Sequence, residues 1–551
     1  MKHLFLLAAL SLPAALLAQP AKVKIKTKNS ADGGVAPHGP VLVPPQAADP
    51  ATAYAERYIT QENLRRDLSV LASDEYEGRE TGTKGQKMAA AYISQQFALD
   101  SLTAPVPGTA NPYLQTFGLE RSAWQPGGTL AAGGTTYQWL TDFYAVGRSP
   151  FQAGAVVQPV FVGYGIEQGT YSDYAGHDVK GRDVLMLLGE PRTADGKPAL
   201  SADGTPTKWG VDYRAKAALA AQKGARSVFF VSLEPVANFQ KMATRLGPRL
   251  MQPTIAFADQ PAGRAPAFFV SSALGLKLLG AKEAALKAYQ TAAAKAPATG
   301  KFKPVKFTVN AAQERTTVST ENVLGFLPGT DKKDEILVVS AHYDHLGIIN
   351  GQVYNGADDD GSGTVGMLAL ARAFTRAAHA GHGPRRSLLF LANTGEEKGL
   401  LGSEYYTSHP VYPLAATVAD LNIDMIGRTD VGHEGKPDYV YVIGSDKLSS
   451  QLHAVLLAAN EQHGNLNLDF RFNDPEDPNR FYYRSDHYNF AVHKIPVAFF
   501  FNGVHADYHE ASDEVSKIEF DKLEARARLV FFTAWELANR DERVVVDSNK
   551  P

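Results

Sequence analysis

The sequence predicts an α/β fold: a mostly parallel, mixed sheet sandwiched by helices, interrupted by a β-rich inserted domain. Three observations carry this. From about residue 305 onward, short apolar runs alternate with helical patterns, which implies strands joined by crossover helices. Those runs are almost continuously apolar, as strands buried on both faces must be. Between about 122 and 304 the pattern changes to short strand-like runs broken by many Gly and Pro. The chain has 551 residues; at roughly 150 residues per domain, that allows about three or four units.

The elements follow in order. Residues 1–18 (MKHLFLLAALSLPAALLA) have a short basic start, an apolar run and a small residue at the end. This is the pattern of a secretory signal peptide and is too short for a stable membrane span. Residues 19–49 are rich in Ala, Pro, Gly and Lys and read as a flexible linker. In 50–121, Leu64, Leu68 and Leu71 fall at helical spacing after Thr60, a suitable cap. The polar loop EGRETGTKG (77–85) leads to a second helix near 88–99. In the 122–304 insert, 156–165 and 183–189 read as strands, and one helix near 213–223 precedes the apolar run 227–232. From 305 to 545, strands are expected at 335–342, 387–394, 417–426, 439–445 and 496–503. Helices are expected at 365–378 and near 450–463.

Composition removes several function classes. Lys plus Arg is 55 and Asp plus Glu is 58, for a net charge of −3, so no global excess points to nucleic acid or a membrane surface. No stretch beyond the leader approaches the ~20 apolar residues of a membrane span. Cysteine is absent, which excludes disulfides, thiolate metal sites and a cysteine nucleophile. Any metal must be held by His, Asp and Glu.

In open α/β sheets, ligands sit beyond the carboxyl ends of the strands, and the polar residues gather there. The 335–342 run ends in AHYDH, with His342, Asp344 and His345. The next loop holds Asp358, Asp359 and Asp360. The 387–394 run leads to Glu396 and Glu397, and the 417–426 run carries Asp424. The 496–503 run continues into His505, Asp507, Tyr508, His509 and Asp513. So many carboxylates in one place would repel, and a pair of divalent cations relieves that. Carboxylate oxygen plus imidazole nitrogen without sulfur suits Zn²⁺ best. Asp358, Glu397 and Asp424 supply −3, two Zn²⁺ supply +4, and a bridging hydroxide brings the sum to zero. Glu396, alternating away from its neighbour, is free to act as general base.

Each fragment alone is weak. A single His at a strand end is more often structural, an Asp-rich loop is usually a turn, and GEE fits a helix N-terminus. Joint occurrence at successive strand ends reverses those odds. DDDGSG lacks the later glutamate of a calcium loop. Gly361, Gly363 and Gly366 match a dinucleotide fingerprint only formally, because an acidic loop precedes them. Gly361 and Gly363 fit better as places where the backbone turns tightly under the metals.

The ordered series AHYDH, NGADDDGSGT, NTGEEKGLLGS, NIDMIG, RSDHYNF and DYHEASD resembles the co-catalytic di-zinc aminopeptidase family, which includes secreted bacterial leucyl aminopeptidases and glutamate carboxypeptidase-like enzymes. The resemblance covers about 50–121 and 305–545 and implies a zinc-exopeptidase fold of phosphorylase/hydrolase-like type. The 122–304 stretch is more loosely similar to a protease-associated domain. The resemblance implies His342 and Asp424 on one zinc, Glu397 and His509 on the other, and Asp358 as the bridge, for two Zn²⁺ per chain. It implies Glu396 as general base and Tyr508 as a hydrogen-bond donor to the tetrahedral oxyanion. It places Asp344 behind His342, with Asp513 in a similar position near His509. Asp359 and Asp486 are expected in the surrounding layer, and a cis peptide is expected at Asp358–Asp359. Arg484, Ser485 and His487 match a segment near the pocket. His345 is not a required ligand, and His505 and Asp507 are read either at the substrate entrance or in a solvated loop.

The implied activity is that of an exported metallo-aminopeptidase that removes N-terminal residues from peptides or proteins by attack of metal-bound hydroxide. Alternatives on the same fold are a carboxypeptidase or dipeptidase, with Arg428 or Arg484 as carboxylate clamp, or a glutaminyl cyclase. An inactive binding protein is the alternative of another class, and it would be expected to have lost ligands.

Overall fold

A computed structural model describes residues 49–258, 265–298 and 302–548. The predicted leader, 1–18, and the predicted linker, 19–49, up to residue 48, lie outside the described residues. Among the described residues no helix is long and apolar enough to cross a membrane.

The centre is a nine-stranded mixed sheet. Its strands in chain order are β1 (Leu114–Trp124), β2 (Thr254–Ala256), β3 (Gln313–Leu327), β4 (Lys332–His342), β5 (Arg386–Asn393), β6 (Thr417–Ile423), β7 (Tyr439–Ile443), β8 (Asn467–Asp469) and β9 (Val497–Phe501). They lie side by side as β2-β1-β3-β5-β4-β6-β9-β7-β8. The central four, β5, β4, β6 and β9, run parallel. The flanks are antiparallel where β3 meets β5 and where β7 meets β9. The parallel character read from the sequence thus holds at the centre.

β5, β6 and β9 are buried along their whole lengths, and β4 from Ile336 onward. Alternate residues face opposite layers. Leu337, Val339 and Ala341 of β4 join Phe390 of β5 against Met367, Leu370 and Phe374 of the helix Gly363–His379 and against Phe520–Asn539. Val338 and Leu389 point the other way, toward Tyr406 and Phe490. Leu64, Leu68 and Leu71 are buried on the helix Gln61–Leu71. Its N-terminus is capped by Thr60, whose hydroxyl accepts from the Asn63 N–H at 3.3 Å. The helices Leu401–Ser408 and Phe520–Asn539 were not read from the sequence.

β1 and β3 form a long antiparallel arm, with Leu114 opposite Val323 and Trp124 opposite Gln313. Only the end of β3 is anchored in the sheet, where Val323 to Leu327 pair with Ala392 to Leu388 of β5. The rest of the arm projects past the carboxyl ends of the parallel strands. Its sequence, QERTTVSTEN, is polar, mostly exposed up to Ser319 and buried at Thr320, Glu321 and Asn322, so it carries no apolar signal of a strand.

The arm leads into the insert, which has its own apolar core running from Trp124 to Ala311. Phe307–Val309 pairs with Thr129–Ala132 and Ala155–Val157, so the insert extends past residue 304. Besides this four-stranded sheet it holds a five-stranded one, in the order Phe143–Val146, Ala267–Val270, Ser227–Val231, Asp183–Leu187, Val160–Phe161. The helix Tyr213–Gln222 was expected. Val236–Leu250, Ser272–Leu279 and Glu283–Ala293 add helix that the Gly- and Pro-rich punctuation concealed.

Candidate metal centre

The carboxyl ends of β4, β5, β6 and β9 deliver the candidate ligands to one place. His342 closes β4 opposite Asn393 of β5. Its Nε2 lies 3.3 Å from Asp359 Oδ1, 3.5 Å from Asp424 Oδ1 and 3.8 Å from Glu396 Oε2. His509 Nε2 lies 3.1 Å from Asp359 Oδ2 and 3.2 Å from Glu397 Oε2. The two clusters therefore share one carboxylate, that of Asp359.

This corrects the expected bridge by one residue. Asp358 points away from the imidazoles of His342 and His509. Its Oδ1 accepts from the Gly427 N–H at 2.7 Å and from Ser362 Oγ at 2.9 Å, and its Oδ2 lies 3.0 Å from His505 Nε2. The cis peptide falls at Asp359–Asp360, not Asp358–Asp359. The 357–362 segment is irregular, with non-helical dihedrals at Asp359 and Asp360, so the three acids aim in three directions. Asp360 is a tie: its carboxylate accepts from the backbone N–H groups of His342, Gly363 and Met425. Gly363 is needed here, because a Cβ would stand 2.3 Å from Asp360 Oδ1 and 2.5 Å from the Ile423 carbonyl.

The supporting acids also differ in detail. His342 Nδ1 is 3.1 Å from the Asp344 carbonyl oxygen, whereas the nearest Asp344 carboxylate oxygen is 3.8 Å away. That carboxylate accepts instead from the Glu396 N–H at 3.1 Å and from Thr81 Oγ1 at 2.7 Å, and so positions Glu396. Asp513 accepts from the N–H groups of Asp358 and Asp359, holding the 357–362 loop and not His509. Asp486 is fully buried, and burial, with Asp344 and Asp424 nearby, pushes its carboxyl up to about 7. His505 is buried against Asp358, and Asp507 forms ion pairs with Arg428 and Lys517. Arg428 meets Asp507 through Nη2, and its buried Nη1 has no hydrogen-bond partner among the described residues.

Other residues had no assigned contact. His345 is fully buried with Nδ1 2.9 Å from Glu397 Oε1, inside the second cluster. Ser485 donates to Asp424 Oδ2 at 2.7 Å. Arg79, from the EGRETGTKG loop, is buried under the site. It donates to the carbonyls of Tyr343 (2.8 Å), Leu71 (2.8 Å), Asn355 (2.6 Å) and Gly356 (2.9 Å). The sequence signal was the loop's unusual polarity next to apolar helices, which flagged the segment without its role.

The donor set fits a pair of hard-to-borderline cations. Among the described residues, the buried His342 Nε2 and Glu397 Oε1 have no hydrogen-bond partner although other ligand-type atoms crowd them. Such orphaned buried atoms are costly unless something else satisfies them. Burial, reinforced by Glu397 and Asp424 against the opposing pull of His342, holds the Glu396 carboxyl well above its ordinary range. Burial works against the charged His509 ring, but Asp359 and Glu397 outweigh it and push the ring up to about 10. Divalent ions would replace those protons as the counter-charge.

Beside Glu396 and Asp424 a cavity of about 30 Å³ is walled by Met425, Phe481, Phe499, Phe501 and Val504. Tyr508 stacks on His509 with ring centroids 3.9 Å apart, and Arg484 Nη2 lies 3.2 Å from its hydroxyl at the mouth.

Comparison with known proteins agrees with this geometry. Residues 322–534 match peptidase family M28. Aminopeptidase YwaD of Bacillus subtilis (strain 168) is 27% identical over 236 residues, 41% of this chain and 47% of that protein. A vacuolar membrane protease of Tuber melanosporum (strain Mel28) is 36% identical over 118 residues, 20% of this chain and 12% of that protein. The chain thus spans half or less of the length of these curated relatives. An aminopeptidase from Aneurinibacillus sp. strain AM-1 has a similar fold, with a TM-score of 0.52 and 20% identity, covering 91% of this chain and all of that one. Residues 322–534, which hold every candidate ligand, are thus the part of the chain that resembles peptidase family M28.

Proposed function

We propose that the chain is an exported zinc-dependent aminopeptidase that hydrolyses the first peptide bond of peptides or proteins. The observation that carries it is the Asp359 carboxylate between His342 and His509, with Glu396 beside the shared site. His342 and Asp424 would hold one zinc, Glu397 and His509 the other, and Asp359 both. The pair would supply Lewis acidity toward the scissile carbonyl and toward a water molecule.

The chain's own residues do the rest. Glu396 takes a proton from the attacking water on its carboxylate and returns it to the leaving amine. The Asp344 contact to its N–H fixes its position. Tyr508 Oη, oriented by Arg484, donates to the developing oxyanion. Four carboxylates (Asp359, Glu396, Glu397, Asp424) offset the +4 of two zinc ions, so a free α-ammonium meets no net positive charge. The Met425 and Phe walls favour an uncharged, apolar first residue. Export is supported by the 1–18 pattern, and the insert is read as a protease-associated domain.

The test is a panel of aminoacyl anilides against their N-acetylated forms, with and without chelator. Turnover confined to free-amine substrates and lost on chelation is expected. Glu396→Gln should keep the zinc content and lose activity by about 10²–10⁴-fold. Cleavage of blocked substrates, or full activity after metal removal, refutes the reading.

A further inference from the structure

The insert contains a second concave site, far from the metal cluster. It has a volume of about 910 Å³, within the range of a ligand pocket. Its walls include Trp124, Tyr144, Trp209, Tyr213, Phe239 and Phe269. Trp124 comes from β1 of the arm, Tyr144 and Phe269 from the five-stranded sheet, and Phe239 from the helix Val236–Leu250.

Three features identify the occupant. First, two sheets end at this cavity. Phe143–Val146 is the terminal strand of the insert's five-stranded sheet, and Thr254–Ala256 is the terminal strand of the nine-stranded sheet. Tyr144, Ala145, Val146 and Thr254 line the cavity. A terminal strand offers a row of main-chain donors and acceptors, which is what an extended peptide backbone recognises. Second, the helix Val236–Leu250 presents Met242, Leu246 and Leu250 to the cavity, with Met242 48% exposed. Lys241, Arg245 and Arg249 follow at four-residue spacing on this helix and form no ion pair among the described residues. Of these three, Arg249 itself lines the cavity; of the acids that line it, Asp212 is paired with Arg214 and Glu234 precedes the N-terminus of the helix, so the C-terminal end of the helix leaves that part of the rim complementary to a carboxylate. Third, the arm places the cavity on the active-site side of the sheet. Ten residues separate Val323, near the metal-bearing ends, from Gln313 at the cavity, roughly 30 Å along a strand.

We propose that this cavity is an anchoring site for the distal part of a peptide substrate: an extended segment with a large apolar side chain in the aromatic cavity and a carboxylate on the basic helix. Its role as a substrate site rests on the aminopeptidase reading; its affinity for such a peptide does not. An extended peptide needs roughly nine residues to span the separation. Short substrates would engage the metal centre alone, and longer ones both sites, with gain in effective concentration at the first bond.

The experiment uses the full zinc-loaded chain and a peptide of about twelve residues with Leu first, Phe at positions nine and ten and Glu at the end. Binding of its N-acetylated form is followed by anisotropy and by tryptophan emission, and requires no turnover. The N-acetylated peptide is expected to bind wild type and to bind Met242→Glu and Arg249→Glu about tenfold more weakly. Both substitutions are at exposed positions. In turnover, KM for the free peptide should rise by a similar factor in both variants, while kcat/KM for a leucine anilide stays unchanged. Equal binding by all three proteins, no binding, equal binding of a peptide with Ser in place of both Phe, or equal binding of a small aromatic amide overturns the proposal. Loss of anilide hydrolysis with retained peptide binding refutes the aminopeptidase reading and leaves the site standing.

Discussion

Arg79→Met should uncouple the metal centre from the rest of the fold. The guanidinium is 1% exposed and donates to four backbone carbonyls on three segments: the end of the helix Gln61–Leu71, the residue after β4, and the start of the acid loop. These segments carry or border His342, Asp344 and Asp359. Methionine fills much of the volume but donates nothing, so four buried carbonyls lose a charged donor. At roughly 1 kcal/mol each, the lower end for a buried group left unsatisfied, the loss is about 4 kcal/mol. Because the ligand-bearing loops are no longer clamped together, zinc affinity should fall about 10- to 100-fold, as when partners behind metal ligands are removed. Arg79→Lys should rescue little, since a single ammonium cannot serve four carbonyls spread around a planar fork. Urea denaturation followed by circular dichroism reads the stability, and competition with a chromogenic chelator reads the zinc affinity. An Arg79→Met protein within about 1 kcal/mol of wild type and with unchanged zinc affinity would show that the clamp is dispensable.

Three further outcomes are expected. Asp359→Asn should abolish binding of a zinc pair, whereas Asp358→Asn should retain two zinc per chain and lower stability through its contacts with Gly427, Ser362 and His505; elemental analysis distinguishes them, and the reverse pattern would restore Asp358 as the bridge. His509→Ala should reduce the bound zinc by one per chain, and an unchanged stoichiometry removes His509 from the ligand set. Lys216, buried in the insert with its ammonium donating to the Leu187 and Gly189 carbonyls, is pushed down by burial to about 7. Above that pH the unfolded chain binds more protons than the folded one, so stability rises with pH, by about 3 kcal/mol between pH 7 and 9.5. The insert's Trp124, Trp139 and Trp209 report its unfolding in urea, and Lys216→Met should flatten the rise; an equally steep rise in that variant assigns the effect to other groups.

The sequence alone determined the parallel centre of the sheet and the set of segments that meet at its edge. The physical reason is local: a strand buried on both faces must be apolar throughout, and polar residues at its end cannot belong to that core. The period of the helix Gly363–His379 and the Thr60 cap were legible on the same grounds. Tertiary structure decided which of three consecutive aspartates is shared. Side-chain direction in the 357–362 turn depends on partners at Gly427, Ser362 and Asp513, none of which is local in sequence except Ser362. The same holds for Arg79, whose carbonyl partners are up to 277 residues away. The arm of β1 and β3 escaped notice because its strands are held by each other's backbone, and hydrogen bonding between main chains leaves no mark on the order of side chains.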